Sequence, residues 1–141
     1  MKKDGKNYPI EAIQLLTELL NEKKEASKIL VAAGYSELAL IYDAAEGKTG
    51  ITELLMKKGY VVIAGFLTAI LTENRSPISF LLKNGAEHWA ATANYILKDK
   101  KAKIWLQTNG FDHYVVMADA LNKKIDKEEG SGLEMLFRSP I

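Results

Sequence analysis

Four glycines at almost equal spacing constrain this chain more than any other feature. Gly34, Gly59, Gly85 and Gly110 are separated by 25, 26 and 25 residues. Counting each glycine as position zero, the flanking residues fall into columns. Position −5 holds Ile29, Leu54, Phe80 and Trp105, and position −4 holds Leu30, Leu55, Leu81 and Leu106. Position +1 holds Tyr35, Tyr60, Ala86 and Phe111, position +4 Leu38, Ile63, Trp89 and Tyr114, and position +5 Ala39, Ala64, Ala90 and Val115. Self-similarity at a fixed period marks a repeat architecture, and missing it misassigns the whole fold.

Within each unit the apolar positions +1, +4, +5, +8 and +11 follow the 3.6-residue period of one helix face. The run before each glycine is a shorter helix, and glycine between the two suits a left-handed C-cap, where a residue without Cβ releases the chain. Twenty-five residues before Gly34 stands Pro9, with Ile10, Ile13 and Leu20 in the same phase. Proline is tolerated in the first turn of a helix, where its missing N–H costs nothing. The expected fold is therefore all-α: an α-solenoid of four tandem helix–glycine turn–helix repeats preceded by a single capping helix. Its expected parts are an extension over 1–8, a cap over 9–22, repeats over 26–47, 51–73, 77–98 and 102–122, and a charged, flexible tail over 123–141. That tail carries Gly130-Ser131-Gly132, a linker composition, and then the short apolar patch Leu133 to Phe137.

Bulk composition narrows function mainly by exclusion. A net charge of +1 supplies no overall field towards nucleic acid or acidic lipid. No cysteine is present, which removes disulfides, thiolate catalysis and cysteine-based metal sites. The charged N-terminus lacks the apolar stretch of a secretory signal, so a cytoplasmic location is expected. The apolar run Gly59 to Leu71 is shorter than the roughly 20 residues of a membrane span and reads as a core helix.

The order leucine, three residues, glycine, aromatic, two residues, aliphatic, alanine resembles the helix–turn–helix of ankyrin repeats, best over Leu30 to Ala39. The resemblance covers about residues 26–122. It departs from ankyrins in lacking the Thr-Pro-Leu-His opening and the hairpin segment, and in a period shorter than the ankyrin 33. It implies a scaffold that binds a partner, assigns no individual binding residue, and implies no reaction.

Three groups of residues are candidates for function. Position +9 carries Asp43, Thr68, Asn94 and Asp119, polar residues on otherwise apolar helices. Burying a side chain of this kind without a partner costs about 1–3 kcal/mol, so the column either meets water or satisfies a neighbour. On the repeat reading it is a stripe for a protein partner. His88 and His113 share position +3, each after an acidic residue. They belong to that binding surface, or to a metal or acid–base pair if further ligands converge on them. Lysines gather at Lys57-Lys58, Lys98 to Lys103 and Lys123-Lys124, which is the alternative of a nucleic-acid-binding array. Trp89, Trp105, Phe80 and Tyr114 fall in apolar columns and are expected in the core. No phosphate loop, nucleophile elbow, zinc-protease helix or calcium loop occurs. The expectation is a non-enzymatic protein-interaction module, an adaptor or an inhibitor of the immunity type, without a cofactor. A small metal-dependent enzyme centred on the histidines is the third reading.

Overall fold

The computed structural model describes the backbone of residues 4–138 and the side chains of residues 4–128. Among the described residues all regular structure is helical. The elements are α1 (Ile10–Leu20), α2 (Glu25–Ala32), α3 (Ser36–Ala45), α4 (Ile51–Lys57), α5 (Val61–Leu71), α6 (Ser76–Lys83), α7 (Glu87–Ile96), α8 (Lys100–Thr108) and α9 (Asp112–Arg138). Burial divides them into two layers. Odd-numbered helices are buried on most sides: α5 hides Val62, Ile63, Ala64, Phe66, Leu67, Ala69 and Ile70. Even-numbered helices bury one or two side chains each, such as Leu55 alone on α4.

Each glycine turn is a Schellman motif. Gly34, Gly59, Gly85 and Gly110 all have positive φ, between 69° and 88°. The N–H of the residue after the glycine reaches back to the carbonyl of the −4 leucine: Tyr35 to Leu30, Tyr60 to Leu55, Ala86 to Leu81 and Phe111 to Leu106, at 2.8–3.0 Å. Those four leucines are fully buried. The −4 column thus fills the core and also supplies the carbonyl that turns the chain. The turns leading out of the inner helices use the same geometry without the same residue. There the left-handed position is held by Glu22, Gly47, Glu73 and Lys98. A side chain in that conformation costs roughly 1–2 kcal/mol relative to glycine. The extra residue in the 26-residue interval lies here, because α5 is longer than α3 or α7 by one residue.

The packing order corrects the expectation of an open array. Inner helices follow one another from α1 through α3, α5 and α7 to α9, and α9 then packs directly on α1 and also on α3. In a solenoid each repeat touches only its neighbours, leaving the first and last helices apart. Here the array curls until its ends meet. Alanines let the inner helices approach closely: Ala44, Ala45, Ala69, Ala90, Ala93, Ala118 and Ala120 are all buried. Outer helices wedge between consecutive inner ones, and α4, α6 and α8 do not pack on one another.

The seam between α1 and α9 is held by charge. Lys124 is buried, with its Nζ 2.6 Å from Glu22, 3.2 Å from Glu128 and 3.7 Å from Glu46. It also lies 5.0 Å from the centre of the Tyr42 ring. Tyr42 donates its hydroxyl to Glu22 and Glu46 at 2.7 and 3.0 Å. Partial burial opposes the lysine charge, but its hydrogen bonds to Glu22 and Glu128 outweigh that and hold its pKa above the ordinary value. The last helix runs past Asn122 to Arg138, and Lys124 and Ile125 are buried on it. The side chains of the apolar patch Leu133 to Phe137 lie outside the described residues.

Candidate binding surface

The described residues ahead of α1, from Asp4 on, are tied to the helices. Asp4 accepts the backbone N–H groups of Lys6 and Asn7, which makes a compact turn. From it residues 6–8 cross the glycine-turn end of the ring. The Lys6 carbonyl accepts the Nε2 proton of His88 at 2.6 Å and the indole N–H of Trp89 at 2.8 Å, while the Lys6 ammonium donates to the Asn84 carbonyl. Tyr8 donates its hydroxyl to Glu37 at 2.8 Å and packs edge-on against Tyr35 and Trp89. His88 is therefore a buried, neutral hydrogen-bond donor, and burial pushes its pKa below the ordinary 6.5. Glu37 shares position +3 with the histidines and is fully buried; its own repeat position is the signal that sequence reading passed over.

The two histidines are not brought into contact by the ring contacts around them. The Phe111 ring stacks on His88 at 5.0 Å and on Trp105 at 6.0 Å, and His113 lies at its edge, half-buried. Burial lowers the His113 pKa as well. Among the described residues no group of three His, Asp or Glu side chains stands close enough to hold a metal ion.

The +9 column both meets solvent and satisfies neighbours. Asp43 pairs with Lys48 at 3.3 Å. The Thr68 hydroxyl donates to the Ala64 carbonyl one turn back, at 2.8 Å. Asn94 accepts from the Arg75 guanidinium at 2.6 Å, and the same guanidinium donates to the Leu97 carbonyl. Asp119 accepts the Tyr95 hydroxyl at 2.7 Å. Asp43, Asn94 and Asp119 thus tie the end of an inner helix to something adjacent, whereas Thr68 bonds only within α5.

Two members of that column line grooves on the outer wall. One groove, of about 250 Å³, lies between α4 and α6 and is walled by Met56 and Phe80, with Ala64, Gly65 and Thr68 on its floor. A second, of about 350 Å³, lies between α6 and α8 and is walled by Leu82 and Trp105, with Ala90, Ala91 and Asn94 below. In repeat register these are the same groove twice: −3 and −5 make the walls, and +5, +6 and +9 the floor. The floor is open because the outer helices splay apart and because +6 is Gly65 or Ala91. At the corresponding place on α3 stands Leu40. Gly65 lies inside a helix, where glycine costs up to about 1 kcal/mol; a Cβ there would sit 3.4 Å from the Phe80 ring.

The walls overturn one sequence expectation. Trp89 and Tyr114 are buried as foreseen, but Phe80 is 40% and Trp105 38% exposed. The whole −5 column is open in this way, with Ile29 and Leu54, and so are Val31, Met56 and Leu82 at −3. Adjacent residues of one short helix cannot both face the ring, and the −4 leucine takes the inward place.

Charge separates between wall and core. Residues 23–33, 51–58, 75–84 and 98–109, which carry the outer helices, have net charges of +2, +1, +2 and +3. That is +8 in all against +1 for the chain, leaving −7 for the rest. The lysine groups Lys57-Lys58 and Lys98 to Lys103 belong to this wall, whereas Lys124 is spent in the seam. No described helix is long and apolar enough to cross a membrane. No family model matches the chain, and comparison with curated proteins and with solved structures finds no match.

Proposed function

We propose that this chain is a non-enzymatic module that binds another protein, built from four helical-hairpin repeats and a capping helix, and that its working surface is the outer wall. The observation carrying this reading is the pair of repeat-equivalent grooves between α4, α6 and α8. Their walls are large apolar side chains held at the surface, which a chain with no partner has reason to bury or replace by polar ones. Trp and Phe at the rim of a concave site are also the residue types that most often anchor protein interfaces. His88, Glu37 and the +9 side chains are engaged by contacts within the chain, which supports binding over chemistry. The +9 residues enter through Thr68 and Asn94, at the groove floors; Asp43 and Asp119 fall outside the grooves and serve the ring.

The basic charge of the wall favours a second reading, contact with nucleic acid. The exposed aliphatic side chains of the −5 and −3 columns, Ile29, Val31, Leu54, Met56 and Leu82, argue against it, since a phosphate backbone leaves them hydrated. Photo-crosslinking from residue 80 or residue 105 in cells separates the two. Protein adducts from both positions, and none from the exposed Glu18 on α1, are expected. Nucleic-acid adducts, or equal labelling from all three positions, would refute the module reading.

A further inference from the structure

Resting on that reading, we infer the chemical character of the partner: an acidic segment that presents two large apolar side chains, one to each groove. Charge and shape point the same way. The segments that flank the grooves, 51–58, 75–84 and 98–109, carry +6 while the chain carries +1, so a segment rich in Asp and Glu gains attraction along them. Lys101 lines the larger groove together with Glu87 and Asp99, and Lys83 stands at the end of α6 between the two, so the excess of positive charge comes from the helices flanking the grooves and not from their lining. The Asp99 carboxylate is occupied in capping the Lys101 N–H. Each groove, at about 250 and 350 Å³, has room for a large apolar side chain together with the backbone that carries it. Repeat equivalence then sets the anchor spacing. Helices α5 and α7 pack directly, which places the two floors about 10 Å apart. That distance is spanned by about three residues of extended chain in the polyproline II conformation, at ~3.1 Å each, whose three-residue turn brings both anchors to one side. In a helix it takes about seven residues, at ~1.5 Å each.

The probes are synthetic peptides of Glu and Asp with two leucines or phenylalanines placed three or seven residues apart. Basic peptides with the same anchors, phosphatidylserine vesicles and a single-stranded oligonucleotide serve as comparisons. Backbone amide shifts of the full chain, together with Trp105 fluorescence, report binding. An acidic two-anchor peptide is expected to move Gly65, Phe80, Ala91 and Trp105, to weaken with salt, and to lose about tenfold in affinity when either anchor becomes alanine. Gly65→Leu, which fills one floor, and Lys101→Glu should each weaken it by a similar factor, with the amide spectrum otherwise unchanged. Basic peptides binding equally well, or vesicles or oligonucleotide moving these signals when acidic peptides do not, would overturn the inference. So would acidic peptides that leave the grooves untouched while crosslinking at residues 80 and 105 still yields protein adducts. In that case the interaction reading stands and only the partner's character fails. Absence of both peptide binding and protein adducts removes the two together.

Discussion

Two rows of residues stand side by side on the same short helices and have opposite fates. Leu30, Leu55, Leu81 and Leu106 are fully buried and carry the carbonyls of the glycine turns. Their immediate predecessors, Ile29, Leu54, Phe80 and Trp105, remain half-open on a basic wall. Both rows are large and apolar, so hydrophobicity alone does not tell them apart. Geometry does: the residue that closes a Schellman turn must face the ring, and its neighbour, about 100° around the helix, cannot. The difference teaches that in this fold the repeat period identifies the columns but not which of two adjacent columns holds the structure together.

The comparison is broken most forcefully through the core row. Leu81→Ala should cost about 2–5 kcal/mol by leaving a cavity in a tightly packed ring. Phe80→Ala, next to it, should cost about 1 kcal/mol or less. Urea denaturation of both measures the ratio, and equal losses would mean that the two rows do not differ in role. The seam comes next. Lys124→Met removes charged hydrogen bonds to Glu22 and Glu128 and should cost about 1.5–3 kcal/mol. Hydrogen exchange should show α1 and the second half of α9 opening together before the other helices do. Synchronous opening of all helices would deny the seam a special place.

A smaller effect sharpens the role of the sealed ring end. The folded pKa of His88 lies below its unfolded value, so as pH falls the unfolded chain takes up protons first. Stability supplied by the neutral imidazole is therefore present in full above about pH 6.5 and is lost as pH drops through that range towards the folded pKa. His88→Gln, which keeps an N–H donor for the Lys6 carbonyl but does not titrate, should flatten the fall in denaturation midpoint between pH 7.5 and 5. An unchanged slope would transfer the pH response to other groups, His113 among them. Smallest of all is Gly65→Ala, where removing a helical glycine favours folding by up to about 1 kcal/mol. Contact of the new methyl with the Phe80 ring at 3.4 Å opposes it, so a change within about 1 kcal/mol of zero is expected in thermal denaturation.

Much of the helix pattern was legible in the glycine register, because four Schellman turns need the same residue at the same place. The returning turns were not, because Glu22, Glu73 and Lys98 hold a left-handed conformation with no glycine to announce it; only Gly47 does. Ring closure was hidden for a different reason. A period in sequence does not define the angle between successive helix pairs, on which the meeting of α9 with α1 depends. The seam residues Glu22, Glu46 and Lys124 are far apart in sequence, and no spacing relates them. The same holds for the axial contacts of Lys6 and Tyr8, which lie 82 and 29 residues from His88 and Glu37. Of the candidate residues, the +9 column was found as a column, but only the spatial neighbours at −5 and −3 turn two of its members into groove floors.

The double variant Phe80→Ser/Trp105→Ser tests the division of labour between the two rows most directly, with stability and acidic-peptide affinity measured on one preparation. The account predicts an unfolding free energy within about 1 kcal/mol of the parent chain, together with a loss of at least about tenfold in peptide affinity. A stability loss of about 3 kcal/mol or more, or undiminished peptide binding by a fully folded variant, would contradict it.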